Sequence, residues 1–143
     1  MVENSKVLCV APCFNELHKI ERVVERVLST GIVDEMLVVD DGSTDGSPER
    51  ARSLGARVIE LGETIGVGAA IRRGIEHAMQ NDFDIIVVIA GNNKDEPREI
   101  ERLVHPLIRD GYDFVQGSRF ARGGVFGDMP LYRILATRVH PLF

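Results

Sequence analysis

Two aspartates, Asp40 and Asp41, stand side by side directly after an apolar run, in the stretch "VVDDGSTDGS". Adjacent carboxylates repel unless they point apart or share a donor or a cation, and a ligand N–H or hydroxyl would serve. Taken alone, "VDDGST" is equally well an ordinary turn, since Asp and Gly commonly follow a strand. Further on, "IIVVIAGNNKDEP" drops from an apolar run into a polar loop whose first charge is Lys94. Arg119 closes the run "DFVQGSR", where a guanidinium aimed into a crevice is the usual partner of a phosphate.

The glycine stretch "GVGAAIRRG" invites a dinucleotide fingerprint and fails it, because Ile71 stands where the third glycine should fall. It also follows the third strand run, not the first. Gly66 at a helix N-terminus, with Arg72 one turn in, still suits an anion. Arg73 is read as a solvated face residue. The four histidines, His18, His77, His105 and His140, share no spacing and are read as surface or packing residues. Cys9 and Cys13, with no second Cys or His cluster in metal spacing, are read as reduced packing thiols, not as a zinc site or a disulfide.

These residues need a scaffold, and the pattern along the chain supplies one. Short β-branched runs alternate with stretches of helical period, which predicts an α/β domain with a largely parallel sheet. "KVLCVAP", "EMLVVDD", "RVIEL", "DIIVVIA" and "DFVQGSR" are the expected strands. "DIIVVIA" is apolar enough to be a central strand covered on both faces. Asn15 is the expected cap of the first helix, whose inner face is Leu17, Ile20, Val23, Val24, Val27 and Leu28. Pro48 opens the second helix and Gly55 stops it. The third carries Ala70, Ile71, Ile75, Ala78 and Met79 inward. The fourth starts at Pro97 and turns Ile100, Leu103, Val104, Leu107 and Ile108 inward. In such a sheet the C-terminal strand ends converge on a crevice, and here they read "APCFNE", "VDDGSTDG", "AGNNKDEP" and "QGSR".

The chain has 143 residues, 44% hydrophobic and 27% charged, which is the makeup of a globular domain. A net charge of −5 argues against a general affinity for nucleic acid and leaves phosphate-bearing small ligands open. No apolar run reaches the roughly 18–20 residues of a membrane span, and the N-terminus lacks the marks of a signal peptide, so the chain is read as cytoplasmic. The tail "FARGGVFGDMPLYRILATRVHPLF" begins a helix that has no strand after it to pack upon, and a native polypeptide extending beyond Phe143 is expected.

The ordered string "APCFNE", "VVDDGSTDGS", "GARVIEL", "GVGAAIRRGI", "GSRF" resembles the family 2 glycosyltransferases, particularly the branch of dolichyl-phosphate mannose synthase, over nearly the whole chain. The resemblance implies the GT-A fold, a Rossmann-like three-layer α/β/α arrangement with a mostly parallel sheet. Residues 1–120 would be the nucleotide-sugar-binding domain and 121–143 the start of a truncated acceptor-side region. It implies transfer of a sugar, with inversion, from a nucleotide-diphosphate donor to a lipid-phosphate or other hydroxyl acceptor such as a glycan. Membrane contact would come through the missing C-terminal region, at the cytoplasmic face. A non-catalytic nucleotide-sugar binding or regulatory module of the same fold is the alternative. A phospho-acceptor receiver domain is excluded, because it needs acids after strand one and a lysine after strand five.

Carried over by position, the resemblance puts Pro12, Phe14 and Glu16 at the nucleobase, with Phe14 in place of the usual Tyr. Asp41, more than Asp40, would accept from the base, and Arg72 and Arg119 would face the diphosphate, while the Gly66 loop departs from the family at Thr64 and Val67. The family's acidic metal motif, for magnesium or manganese, falls on Ala90-Gly91-Asn92 and its following Gln on Lys94, so no metal ligand is assigned; recruitment of such an ion at a shifted position by Asp95 or Glu96 stays open. Either Lys94, with Arg119 and Arg72, replaces the metal's charge, or catalysis has been lost. Charge replacement is the favoured reading, because acids are lost and a base gained together. Glu96 is read as a helix-start residue.

Overall fold

The computed structural model of the chain describes residues 2–117. Strand β1 (Val7–Cys13) leads to helix α1 (Leu17–Ser29), β2 (Glu35–Asp40), α2 (Ser47–Ser53) and β3 (Arg57–Glu60). Helix α3 (Val67–Gln80), β4 (Ile85–Val88), a 3₁₀ turn at Pro97–Glu99 and α4 (Ile100–Arg109) complete the order. The four strands are parallel, in the order β3-β2-β1-β4. Residues up to Asp113 form one compact unit.

The α/β expectation is met, and the alternation along the strands shows why. Val7, Cys9, Ala11 and Cys13 of β1, with Met36 and Val38 of β2, pack beneath Ile20, Val23, Val24 and Val27 of α1, Ala51 of α2, and Ile100 and Val104 of α4. Leu8, Val10, Leu37 and Val39 point the other way, onto Ala70 and Ala78 of α3. Because the side-chain period of a strand is two, β1 and β2 must be apolar at nearly every position to serve both layers. Gly55, at φ +101°, ends α2 as expected, and the Ala56 N–H returns to the Ala51 carbonyl at 3.1 Å.

Several expectations are corrected. Asn15 does not cap α1; it lies before the helix at φ +48°, and Glu16 occupies the cap position without a side-chain capping bond of its own. Leu28 is exposed. On α3 the buried residues are Ala70, Gly74, His77 and Ala78, whereas Ile75 and Met79 are exposed. The shift of face follows from close packing at Gly74, where an added Cβ would lie 2.5 Å from Val10 Cγ1. β4 is the outermost strand among the described residues, and Val88 is exposed, so the expected central position does not hold there. Residues 113–117 carry no strand, and the rest of the expected fifth strand, with Arg119 and the tail, lies outside the described residues.

The histidine reading holds at His77, which is buried with Nε2 2.7 Å from Glu35 Oε1. The thiols of Cys9 and Cys13 are free and buried. Burial, with Asp95 adding to it, pushes the first up to about 12. Burial pushes the second up to about 11, with Asp40 the next cause. Both are thus packing thiols. No helix among the described residues is long and apolar enough to cross a membrane.

Gly74 gives the fold its first test. Alanine in a helix is favoured over glycine by up to about 1 kcal/mol, but forcing a methyl into a packed core costs about 1–3 kcal/mol. With Val10 branched at Cβ and fully buried, the second effect should win. Gly74→Ala should lower unfolding stability by about 1–2 kcal/mol in urea titrations. Equal or higher stability would mean that α3 is not seated on β1 as described.

Candidate functional site

The register fixes where the site is. Cys13 pairs with Asp40, and Asp40 with Glu60, so three strands end in one row. The chain passes from β1 to β2 on one side and reaches β4 on the other, which puts the topological switch point between β1 and β4.

From that row the loop after β2 reaches in two directions. Asp41 Oδ1 accepts from the backbone N–H of Ile65 at 2.7 Å and of Gly66 at 3.2 Å, while Oδ2 accepts from Gly66 at 3.0 Å. Gly66 has φ +119° and caps α3, so the carboxylate sits at the positive end of that helix. The anion suited to this helix start is therefore the chain's own Asp41. Gly42, at φ +85°, allows the approach, since a Cβ there would come within 3.0 Å of the Glu63–Thr64 backbone. Asp40 points elsewhere. Its Oδ2 accepts from Ser43 N–H at 2.9 Å, and its buried Oδ1 has no partner. The two carboxylates thus point apart, and the oxygen still lacking a donor belongs to Asp40.

Toward β1, the same loop holds the segment that opens α1. Asn15 N–H donates to Ser43 Oγ at 2.8 Å, and Asn15 Oδ1 accepts from Thr44 N–H at 2.9 Å. Glu16 N–H donates to Ser47 Oγ at 3.2 Å, and Leu17 N–H to Asp45 Oδ2 at 3.1 Å. Asp45, distant in sequence, thus meets an unpaired amide of α1's first turn. Burial alone would raise its pKa, but the bonds from Ser47 and Leu17 outweigh that and hold the carboxyl below its usual range. Sequence reading missed Ser43, Asp45 and Ser47 as site-building residues; the available signal was their capping chemistry next to a helix start.

Between these loops lies a cleft of about 390 Å³ at the switch point. Pro12, Phe14 and Glu16 line it from the β1 side, and Ala90, Gly91 and Asn92 from the β4 side. Val67 and Ile71 of α3 and Val88 and Ile89 complete a mostly apolar wall. Phe14 is 47% exposed, which leaves its ring available to a ligand. Of the expected residues, Pro12, Phe14, Glu16 and Asn92 come together here. Asp40, Asp41, Gly66, Arg72 and Lys94 are not in its lining. Arg72 and Lys94 are exposed, and Arg119 lies outside the described residues.

Residues 9–141 match the sequence profile of Glycosyl transferase family 2. The chain belongs to this family. It is 31% identical to the dolichol-phosphate mannosyltransferase of Pyrococcus furiosus, over 93% of this chain and 38% of that one. It is also 31% identical to the dodecaprenyl-phosphate galacturonate synthase of Rhizobium johnstonii, over 82% of this chain and 37% of the other. The crystal structure of Mycobacterium tuberculosis glucosyl-3-phosphoglycerate synthase matches with a TM-score of 0.70 at 29% identity, covering 96% of this chain and 52% of that one. The same enzyme in complex with Mn²⁺, UDP-glucose and phosphoglyceric acid matches at 30% identity with a TM-score of 0.63, over 74% and 40% of the two chains. The fold is that of the GT-A glycosyltransferases. The chain thus spans about half or less of the length of these relatives.

In this family 2 chain the loop after β4 is closed upon itself. Ala90 offers no side-chain ligand, and Asn92 Oδ1 accepts from Lys94 N–H at 3.1 Å. Asp95 Oδ2 accepts from Ala90 N–H at 2.8 Å. Glu96 caps the 3₁₀ turn, accepting from Arg98 N–H at 3.1 Å, which bears out its reading as a helix-start residue. Its carboxylate also meets Arg98 Nε at 3.1 Å and Arg26 Nη2 at 2.7 Å. The side-chain and backbone bonds from Arg98, then the Arg26 guanidinium, hold its pKa down at about 2. Among the described residues no group of three His, Cys, Asp or Glu side chains could hold a metal ion. The three motif positions do not fit a divalent cation, since Ala90 and Gly91 have no side-chain ligand and Asn92 Oδ1 is engaged by the Lys94 N–H.

The clasp built on Asp45 has a pH signature. A carboxylate with a lowered folded-state pKa contributes stability above its unfolded value of about 3.9, and loses that contribution as pH falls through the folded value. Asp45→Ala should cost about 0.5–2 kcal/mol at neutral pH, as for other lost helix caps. The difference from the unmodified chain should shrink as urea titrations are repeated from pH 6 down to about pH 2. A difference that stays constant over that range would rule out the charged cap.

Proposed function

We propose that this chain is the donor-binding half of a glycosyltransferase that takes a nucleotide-diphosphate sugar and passes the sugar, with inversion, to a lipid-phosphate or other hydroxyl acceptor. The observation that carries the proposal is the cleft at the switch point, walled by Phe14 and the apolar face of α3 and closed by the Ala90–Asn92 loop. Ligands of open parallel sheets bind at this position, and an apolar slot with an exposed aromatic ring suits a nucleobase. The relatives, a dolichol-phosphate mannosyltransferase, a dodecaprenyl-phosphate galacturonate synthase and an enzyme bound to UDP-glucose among them, support the same class of donor and acceptor.

Within this reading Pro12, Phe14 and Glu16 border the base. Asp40 is favoured over Asp41 as its acceptor, because Asp41's oxygens already serve Ile65 and Gly66 while Asp40 Oδ1 has no donor; that oxygen is buried outside the cleft lining, so the contact requires the loop after β2 to shift on binding. Asp41 acts at one remove, by holding the Gly66 loop. In the reaction the acceptor oxygen bonds to the anomeric carbon from the face opposite the leaving group. The bond to the diphosphate breaks, and its electron pair leaves with the diphosphate oxygen; an ionised lipid phosphate attacks without a proton, whereas a hydroxyl acceptor gives up its proton to a base as the new bond forms. That growing negative charge needs stabilisation. Lys94, Arg72 and Arg119 are the cations assigned to it, and the first two have no ion-pair partner among the described residues. An acceptor tethered to a lipid would bring the chain to the cytoplasmic face of a membrane. The second reading, a binding module without turnover, is favoured by the same engaged loop carboxylates, and donor turnover by the complete polypeptide separates the two.

Calorimetry with UDP and GDP in the presence of a chelator tests the proposal. One of them should bind, Lys94→Ala should weaken it about tenfold, and Lys94→Glu should weaken it further by bringing like charges together. Asp40→Ala should also reduce affinity by about tenfold. Binding that requires added manganese or magnesium and ignores Lys94→Ala would overturn the charge-replacement assignment. No binding of either nucleotide under any of these conditions would overturn the donor site.

A further inference from the structure

The loop after β4 is anchored from outside by one side chain. Arg26, in the last turn of α1, donates from Nη1 to Asn93 Oδ1 at 2.9 Å and from Nη2 to Glu96 Oε2 at 2.7 Å. Its two acceptors flank Lys94 and Asp95 in sequence, and Asn93 is held at φ +59°, a conformation that asparagine tolerates better than most residues. The guanidinium is planar and presents two donors at a fixed spacing, so it can fix two acceptors at once where an ammonium would fix one. A bound cation organises a carboxylate-bearing loop by the same principle, drawing several oxygens to one positive centre. Here the positive centre is on the protein.

We infer that Arg26 is a positioning residue of the donor site, whose guanidinium holds the 90–96 loop in the shape that lines the cleft and carries Lys94. The inference rests on the donor-site reading given above. It adds a residue from the last turn of helix α1, 67 positions before Asn93 in sequence. It also explains how a loop without a fit for a metal ion can still be ordered. Two bonds from one rigid side chain, together with the internal bonds Ala90 to Asp95 and Lys94 to Asn92, engage six of the seven residues from Ala90 to Glu96.

The test uses the whole chain and has two arms. In the first, peptide-resolved amide hydrogen exchange compares the unmodified chain with Arg26→Gln, Arg26→Lys, Glu96→Gln and the double variant Arg26→Gln/Glu96→Gln. Arg26→Gln should speed exchange across residues 91–96 by about tenfold and leave β1 and β2 unchanged. Glu96→Gln should speed it less, because the bond to Asn93 remains, and the double variant should be no faster than Arg26→Gln. Arg26→Lys should fall between. Unchanged exchange over 91–96, or exchange that rises equally throughout the chain, overturns the inference. In the second arm, UDP and GDP are titrated with chelator present. Arg26→Gln should weaken the nucleotide that binds by about threefold to tenfold, and Lys94→Ala should lose most of its effect in that background. Unaltered affinity despite faster loop exchange would remove the positioning role. If neither nucleotide binds the unmodified chain, the donor-site reading fails, Arg26 loses its positioning role with it, and the exchange arm decides only whether Arg26 orders the loop.

Discussion

The architecture of the site depends on one kind of interaction, a carboxylate or hydroxyl of the β2–α2 loop accepting from the backbone amides of neighbouring loops. Asp41 takes the amides that open α3, Asp45 takes one that opens α1, and Ser43 and Ser47 take the two before it. Helix starts leave amides without partners, and a buried unpaired amide costs as much as a lost hydrogen bond. Placing acceptors for two helix starts in one short loop turns that cost into mutual alignment. The β1 and α3 walls of the cleft are thereby referred to a single segment. A change in "DDGSTDGS" would move both walls together even where the altered residue touches no ligand.

The sheet supplies the other half of the constraint. Parallel pairing with Cys13 opposite Asp40 and Asp40 opposite Glu60 brings successive loops out along one edge. The apolar layers on both faces fix that register, because slipping one residue would turn Val7, Cys9 and Ala11 away from α1 and toward α3. Gly74 keeps α3 close enough to β1 for its start to fall beside Asp41. Core packing and site geometry are therefore linked through the position of one helix.

Much of this was legible from the amino-acid sequence, and the exceptions share a cause. The alternation of apolar runs and helical periods gave the element order, and Pro48, Gly55 and Glu96 marked boundaries through local backbone chemistry. Pro12, Phe14, Glu16 and Asn92 could be brought to one cleft because strand ends in a parallel sheet must meet. What was not legible was long-range. Asn15 has the side chain of a cap, yet it adopts φ +48° and pairs with Thr44, because Asp45 arrives from 28 positions away to meet Leu17. Periodicity turned Ile75 and Met79 inward; the contact of Gly74 with Val10 rotated the helix so that they face out. The division of labour between Asp40 and Asp41 likewise depends on the Ile65–Gly66 amides, which no pattern near residue 41 discloses.

The loop after β4 shows how such substitutions can be mutually consistent. Had acids been lost from Ala90 and Asn92 alone, the loop would keep Asp95 and Glu96 as free carboxylates beside a site meant for an anionic ligand, and like charges would oppose binding. Instead Glu96 is neutralised between Arg26 and Arg98, while Asp95, whose Oδ2 accepts from the Ala90 amide, keeps its charge. The charge of Glu96 is thus engaged on the side of the loop facing α1 and the 3₁₀ turn, while Lys94 is exposed. Pairing Glu96 in this way would favour a loop that meets a diphosphate with protein cations, because an unneutralised carboxylate nearby cancels part of the lysine's attraction.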